Sequence, residues 1–325
     1  MPSIENAGVE KNLFILSNYF SKHINNTYLV TANNNYKKKF NKKIKIVCPK
    51  SRFFNNQSRT IKSICCFFLI LNLFKRKKFV LFSFQQNLFA LIISKIFSVN
   101  LIIRLNTSPN KYIHNYFQKI IFQIIYKLAN EIIVNSKDFK KNLKKKLNVK
   151  SSYIYNPIIT NKRFIKKRKK INKYLKILNI GRLTHQKDQM TLLRSLKLLK
   201  ENNIRFKASI IGGGYNYDNL KEYIKTHQLQ KEIKLLGYKK NAHKFMNKAN
   251  LFVLSSKYEG LPNVLIEAQK YNLPIISTNC PTGPKEILLN GKLGELYPVS
   301  DHKKLFHKIK NFYLNQKYLI RKSNI

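Results

Sequence analysis

Acidic residues are scarce in this chain. Its 325 residues include 14 Asp and Glu against 63 Lys and Arg, for a formal net charge of +49. Such an imbalance favours partners of negative charge, either nucleic acid or an anionic membrane surface. Lys, Asn and Ile also abound throughout, as expected from an AT-rich genome without any such partner. The charge alone leaves these alternatives open, although so basic a surface is attracted to anionic lipid.

Cysteine is also rare, and its positions exclude several classes of protein. Cys48, Cys65, Cys66 and Cys280 form no CxxC pair and have no His partner at metal-ligand spacing. This predicts free thiols in a reducing cytosol rather than a zinc site or a disulfide framework. No signal peptide is visible at the N-terminus. The longest apolar run, residues 64–74, is too short to span hydrocarbon, so any membrane association is predicted to be peripheral.

Short apolar runs alternate with longer helical patterns along the chain. Residues 111–129, for example, carry apolar side chains at helical spacing, and residues 189–199 and 264–271 are also predicted to be helical. This alternation predicts an α/β fold with parallel sheets wrapped by helices. The predicted strands are 28–31, 44–47, 79–82, 101–104 and 131–134, followed by 175–181, 206–211, 233–237, 251–255 and 274–277.

A strongly basic segment separates the two halves. Phe139, Leu143 and Leu147 form one apolar stripe of an amphipathic helix whose other side is covered by lysines. Such a helix could pack on the sheet or lie near a bilayer. We predict two Rossmann-like, doubly wound domains that face a cleft. Their predicted bounds are residues 1–160 for the N-terminal domain, 161–173 for a basic linker and 174–325 for the C-terminal domain.

The loops after the predicted strands are where such a fold binds ligands. In the loop after residue 180, Gly181 permits close backbone approach, and Arg182 and Lys187 form a cationic pair suited to a diphosphate. The three glycines 212–214 follow the next strand. They are typical either of a flexible turn or of a ligand that comes close to the backbone.

The stretch 258–268, YEGLPNVLIEA, places two of the rare carboxylates eight positions apart. Glu259 precedes a turn and is predicted to face the cleft. Glu267 lies in the second turn of the following helix, where it can accept hydrogen bonds from vicinal hydroxyls such as those of a ribose. A solvent-facing position is the alternative for Glu267. Apolar neighbours on both sides of it favour a buried segment.

The order and spacing of these motifs resemble the retaining GT-B glycosyltransferases of family GT4. The resemblance rests on GRL-x3-K at 181–187, the glycine turn, E-x7-E at 259–267 and PTGPKEI at 281–287. It covers residues 174–315 closely. It extends loosely to the first half through the IENAGVE stretch at 4–10, with Gly8, and through Arg104 and Asn106.

The resemblance implies a role for each matching residue. Arg182, Lys187 and Glu259 would be catalytic, the two cations on the donor diphosphate and the carboxylate on the sugar hydroxyls. The other donor-binding residues would be Gly181, Gly213, Gly260, Leu261, Pro262, Asn263 and Glu267, and the acceptor side would include Gly8, Arg104 and Asn106.

The implied activity is a hexosyltransferase that moves a hexose or N-acetylhexosamine from a UDP-sugar with retention. The acceptor would be a glycan or a polyprenyl-linked glycan in surface polysaccharide or lipid-linked oligosaccharide synthesis. No cofactor is implied, and no metal is expected because no Asp-x-Asp motif occurs. The expected location is peripheral, on the cytosolic face of the inner membrane.

The sequence departs from the family at both ends and at one histidine. The first strand of the N-terminal domain is predicted to be missing, and the C-terminus is predicted to be shortened. The family's histidine near the donor is also not found after the strand at 79–82; His114 and His185 are the nearby candidates. The alternative interpretations are a basic nucleic-acid-binding protein and an inactive GT-B scaffold. Against the former, the aromatic residues follow core periodicity, and no nucleic acid is expected as a partner.

Overall fold

The computed structural model describes residues 1–4, 8–33, 37–74, 78–84, 87–107, 113, 115–157 and 174–315. The chain divides into two compact units, Met1–Ile159 and Thr160–Ile325. Outside the described residues lie the predicted linker 161–173, His114, residues 5–7 of the IENAGVE stretch and residues 85–86 after the third predicted strand.

The first unit contains a parallel strand pair and a parallel four-stranded sheet. Strands β1 (Tyr28–Val30) and β2 (Lys45–Val47) form the pair. The sheet has the order β3-β4-β5-β6, built from Val80–Ser83, Asn100–Leu105, Glu131–Val134 and Ser152–Tyr153. The helices are α1 (Gly8–His23), α2 (Arg59–Phe74), α3 (Asn87–Ile96), α4 (Tyr116–Lys127) and α5 (Lys137–Leu147), with 3₁₀ turns at Lys37–Lys39 and Arg52–Asn56.

The second unit contains one parallel six-stranded sheet in the order β12-β11-β10-β7-β8-β9. The strands are β7 (Leu175–Ile180), β8 (Phe206–Ile211), β9 (Ile233–Leu235), β10 (Leu251–Leu254), β11 (Ile275–Thr278) and β12 (Glu295–Tyr297). The helices are α6 (Gln189–Glu201), α7 (Tyr217–Thr226), α8 (His243–Lys248), α9 (Asn263–Lys270), α10 (Pro284–Ile287) and α11 (His302–Leu314). Counted from β7, this is the 3-2-1-4-5-6 order of a doubly wound Rossmann sheet.

The central strand β10 is an uninterrupted apolar run, LFVL, because both of its faces are buried. Leu251 and Val253 pack on one face of the sheet, with the buried side chains of α6 and α11. Phe252 and Leu254 pack on the other face, with α8 and α9. All four residues are buried because helices cover both faces, which is the arrangement that produces continuous apolar strands.

The basic helix α5 packs on its sheet. Phe139, Leu143 and Leu147 are each 0% exposed and belong to the core around β4 and β5. The helix begins at a capped end, because the Ser136 hydroxyl accepts a hydrogen bond from the Phe139 amide. The helix therefore packs on the sheet, as the first interpretation predicted, while its lysines face away from the core and its approach to a bilayer stays a prediction.

Helix α4 differs from the sequence-based expectation. The apolar stripe that predicted it does not form its buried face: Phe117 is 71% and Ile124 is 56% exposed. The helix packs on the core through Phe122, Ile125 and Tyr126 instead. Apolar side chains of this helix lie on more than one of its sides. Their spacing therefore predicts a helix but does not predict which of its faces is buried. Within the described ranges, no helix combines the length and the apolar character needed to cross a bilayer.

Candidate functional site

The predicted site residues of the second unit gather at one point of its sheet. Strands β7 and β10 are neighbours in the sheet. Helix α6, which follows β7, and helix α9, which follows β10, pack on opposite faces. The order of the strands reverses between β7 and β10. In a doubly wound sheet the loops after two such strands diverge and leave a crevice at the carboxyl edge of the sheet. The loops at 181–188 and 255–262 begin at this edge.

Lys187 and Glu259 meet across these two loops although they are 72 residues apart in the sequence. The Lys187 ammonium group forms an ion pair and a hydrogen bond with Glu259 Oε1. Ser256 Oγ donates to the same oxygen at 2.6 Å. The two ionic side chains are only 16% and 8% exposed, so water screens this pair weakly.

Further hydrogen bonds hold the two loops together. Gln186 Nε2 donates to the carbonyl of Tyr258 at 3.0 Å, and the amide of Lys257 donates to the carbonyl of Gln186 at 2.8 Å. Ser255 Oγ donates to the carbonyl of Lys187 at 2.9 Å. The cation and the carboxylate are thus positioned by backbone contacts as well as by their own charges.

A third segment, at 280–283, contacts the backbone of Glu259 and Gly260. Thr282 Oγ1 donates to the carbonyl of Glu259. A Cβ added at Gly283 would lie 2.5 Å from the carbonyl oxygen of Gly260, so the backbones are in close contact there. Burial, followed by the nearby Glu259 carboxylate, raises the pKa of the Cys280 thiol, which keeps it protonated and unreactive at neutral pH.

The glycine loop packs directly against the 181–183 backbone. A Cβ added at Gly212 would lie 1.8 Å from the carbonyl oxygen of Gly181. A Cβ added at Gly214 would lie 2.2 Å from the carbonyl oxygen of Leu183. At Gly213, the predicted donor contact, an added Cβ would meet nothing within 4 Å. The outer two glycines permit the contact between loops, whereas the middle one has open space beside it.

The remaining predicted donor residues lie at the mouth of the crevice or in the helix after it. Arg182 is exposed. Helix α9 begins at Asn263, and Pro262 provides no side-chain cap for its first N–H groups. Leu261 and Pro262 are buried, and Glu267 is half-buried in the second turn of α9. Its carboxylate contributes, after burial, to the raised pKa of Tyr271.

His185, the histidine candidate within the described residues, lies on the exposed side of this loop. Its backbone amide donates to the hydroxyl of Tyr215 at 3.0 Å, and its Nε2 lies 2.8 Å from Lys257 Nζ. Burial, the largest of several influences, raises the pKa of neighbouring Tyr258.

The predicted acceptor-side residues lie in the first unit. Gly8 begins α1. Arg104, at the end of β4, is 2% exposed and donates to Asn156 Oδ1 at 3.0 Å and to the Ile154 carbonyl at 3.3 Å. Asn106 Nδ2 donates to the Phe84 carbonyl at 3.0 Å. Both side chains thus hold the carboxyl edge of this sheet together, and their contact with an acceptor stays a prediction.

Ser256 and Thr282 also contact Glu259, and neither was among the site residues predicted from the sequence. Nothing in the sequence distinguishes their hydroxyls from others in the chain, and only the fold brings them to Glu259. Across the described part of the chain, no group of three or more His, Cys, Asp and Glu side chains could hold a metal ion.

If the chain has the transferase activity that the sequence resemblance implies, replacing Ser256 by alanine should lower its turnover about tenfold, because one hydrogen bond to the Glu259 carboxylate disappears. The matched control is Ser195→Ala, since Ser195 is also 0% exposed but donates to the Leu192 carbonyl within α6. Both variants should lose similar thermal stability. Equal turnover in the two variants would remove Ser256 from the site.

The chain is similar to several known proteins. The family model described as glycosyl transferases group 1 matches residues 161–324. The chain is similar to the uncharacterized glycosyltransferase MJ1059 of Methanocaldococcus jannaschii, with 37% identity over 217 residues. That match covers 61% of this chain and 53% of the relative.

A second relative is the N-acetylgalactosamine-N,N'-diacetylbacillosaminyl-diphospho-undecaprenol 4-alpha-N-acetylgalactosaminyltransferase of Campylobacter jejuni. It is 29% identical over 221 residues, which cover 65% of this chain and 59% of the relative. The chain therefore spans little more than half the length of the curated relatives it matches.

Among solved structures, Anabaena Alr3699/HepE in complex with UDP and glucose superposes with a TM-score of 0.78 at 14% identity. The superposition covers 99% of this chain and 91% of that one. At this identity the likeness concerns the fold alone. It confirms the predicted GT-B class, with two Rossmann-like domains.

Proposed function

The chain belongs to the glycosyl transferases group 1 family, and we propose that it transfers a hexose or N-acetylhexosamine from a UDP-sugar to a glycan or polyprenyl-linked acceptor with retention. The observation that carries the proposal is the meeting of Lys187 with Glu259 at the switch point of a Rossmann sheet. A half-buried cation beside a buried carboxylate suits a donor that combines a diphosphate with a hydroxyl-rich sugar.

In this proposal the cations act on the leaving group. As the bond from the sugar to the diphosphate breaks, negative charge grows on the phosphate oxygens. Arg182 at the mouth and Lys187 within the crevice oppose that charge, and the N–H groups at the start of α9 add to their effect. Lys187 is already held by Glu259 before the reaction, so it needs little rearrangement as the charge develops.

The carboxylates bind the neutral parts of the donor. Glu259 accepts hydrogen bonds from the sugar hydroxyls, and Glu267 accepts them from the ribose. The backbone of residues 260–263 and the glycine loop at 212–214 approach the sugar and phosphates. Binding of the donor would require Lys187 to share its charge between Glu259 and the diphosphate, since its ammonium group already contacts Glu259.

We propose that the reaction uses no metal and no cofactor, because two cations and a helix N-terminus supply positive charge and the sequence has no Asp-x-Asp motif. UDP as the donor nucleotide is supported by the UDP in the Anabaena structure. The polyprenyl-linked acceptor is supported by the undecaprenol compound in the name of the Campylobacter relative. The acceptor side is assigned to Gly8, Arg104 and Asn106.

The test combines binding with turnover. UDP should raise the melting temperature saturably, and this shift should be lost in Glu267→Ala. A control is Glu222→Ala, since Glu222 is an exposed acid on α7 of the same unit. A panel of UDP-sugars with membrane extract should then yield a radiolabelled lipid-linked or polymeric product.

Three results would contradict the proposal. Equal stabilisation by UDP and by single-stranded DNA would favour the nucleic-acid-binding alternative. UDP binding without turnover on any donor would favour an inactive scaffold. A product of inverted anomeric configuration would remove the retaining mechanism while leaving the transfer itself.

A further inference from the structure

We propose that helices α4 and α5 of the first unit, together with residues 153–155, form a surface that docks on a bilayer rich in anionic lipid. The first observation is the exposed stripe of α4. Its apolar side chains recur at helical spacing and stand in solvent: Phe117 is 71%, Ile120 37%, Ile121 39%, Ile124 56% and Leu128 43% exposed. Monomeric soluble proteins rarely expose so continuous a stripe, which usually indicates an interaction surface.

The second observation is the charge on the neighbouring helix. Five lysines of α5 line an open groove of roughly 540 Å³. Tyr153 forms part of the same lining, and the ammonium groups of Lys137 and Lys140 lie 5.6 and 5.9 Å from the centre of its ring. The lysines that line the groove are Lys137, Lys140, Lys141, Lys144 and Lys145.

The third observation is that exposed aromatic and apolar groups accompany these lysines. Tyr153, Ile154 and Tyr155 are 38%, 51% and 45% exposed, and the two tyrosine rings lie 5.6 Å apart. Tyrosine rings with a polar tip are enriched at the boundary between membrane and water. Helices α4 and α5 share one core, through Tyr126 and Phe139 among others, so the stripe and the groove belong to one packed body.

These three features favour a membrane over other occupants. Lysine ammonium groups bind lipid phosphates, and an apolar stripe on an amphipathic helix enters the boundary between headgroups and acyl chains. Lys119 and Lys127 are exposed on α4 itself, so positive charge also accompanies the stripe. A second copy of the chain would cover the stripe but would bring its own lysines into repulsion with those of α5.

The docking surface is independent of the proposed sugar transfer, since membrane binding is measured without a donor. The experiment is cosedimentation of the full chain with vesicles of phosphatidylcholine, with and without phosphatidylglycerol. Strong binding is expected only with the anionic lipid. Lys140, Lys141 and Lys145 changed together to Gln should weaken this binding roughly 100-fold.

The matched charge control is Lys221→Gln, Lys225→Gln and Lys231→Gln combined, three exposed lysines of the second unit. It makes the same change in net charge and should leave binding within about twofold of the unmodified chain, as expected for charges away from the docking surface. Equal weakening of vesicle binding by both triple variants would show that binding depends on net charge alone. That result would overturn the proposal.

The apolar half of the surface needs its own variant. Phe117→Gln with Ile124→Gln should weaken binding to anionic vesicles at least about tenfold. Leu314→Gln, which changes a side chain 64% exposed on α11, should not. The proposal fails if the α4 variant binds vesicles like the unmodified chain. It also fails if that variant converts a dimer in solution to a monomer, which would assign the stripe to a second copy.

Discussion

Replacing Lys187 by alanine is expected to lower kcat/KM for sugar transfer by roughly 100-fold to 1,000-fold. Removing one preorganised group that opposes the developing negative charge typically costs about 3–4 kcal/mol of transition-state stabilisation. The substitution also leaves the buried Glu259 carboxylate with Ser256 as its remaining side-chain donor among the described residues. Most of the loss should therefore appear in kcat, with a smaller rise in KM for the donor.

The control for this prediction is Lys257→Ala. Lys257 belongs to the loop that contacts the 181–187 loop, and its ammonium group lies beside His185 rather than beside Glu259. The control removes the same charge near the crevice and should change kcat/KM by less than about threefold, as expected for a screened charge near the surface. A Lys187→Ala enzyme that keeps a third of its activity would exclude this lysine from the chemistry. Measurement of kcat and KM for both variants, with their melting temperatures, distinguishes lost catalysis from lost folding.

The strands could be predicted from the sequence because a parallel sheet buries both faces of each strand. The run LFVL of β10 is apolar throughout for this reason, and β11 is likewise buried at every position. Strands β7 and β8 each carry one exposed lysine, Lys176 and Lys207, near their beginning. Strand β6 consists of two exposed residues, Ser152 and Tyr153, so it carries no apolar signal. Its pairing with β5 is visible only in the folded chain.

The candidate site could be predicted in part. Loops that follow parallel strands share one edge of the sheet, which predicts that Gly181, Lys187 and Glu259 lie at the same edge. The sheet order that makes β7 and β10 neighbours is not encoded in any local pattern, because it depends on which crossovers the whole sheet adopts. For this reason the sequence alone does not predict that Lys187 contacts Glu259 directly. Nor does it predict the hydrogen bonds that Ser256 and Thr282 donate to Glu259.

The face that a helix buries is also beyond local patterns when the helix is apolar on several sides. In α4, Phe117 and Ile124 are exposed, whereas Phe122 and Tyr126 face the core, and all four are aromatic or aliphatic. Spacing identifies such a segment as a helix, and tertiary packing then decides its orientation. The argument that aromatic residues follow core periodicity therefore does not apply to the outer side of this helix.

Gly212→Ala and Gly214→Ala are expected to cause the largest losses of stability of any substitutions in the glycine loop. Both residues have positive φ, 153° and 155°, in a region that is almost exclusive to glycine. The added methyl group would also overlap the carbonyl oxygen of Gly181 in the first variant and of Leu183 in the second. We expect each to cost about 3–5 kcal/mol, which corresponds to a fall on the order of 10 °C in the melting temperature of the second unit.

Gly213→Ala provides the matched control, since the same methyl group is added one position away, where nothing lies within 4 Å. Calorimetry should give a melting temperature within about 3 °C of the unmodified chain, because an unhindered glycine-to-alanine change alters stability by less than about 1 kcal/mol. If the donor approaches this loop as proposed, the variant should nevertheless bind UDP more weakly, because the methyl group points into the space that the ligand would occupy. Unchanged UDP affinity would remove Gly213 from the donor site. A melting temperature as low as that of Gly212→Ala would contradict the close packing of the two loops that distinguishes the three glycines.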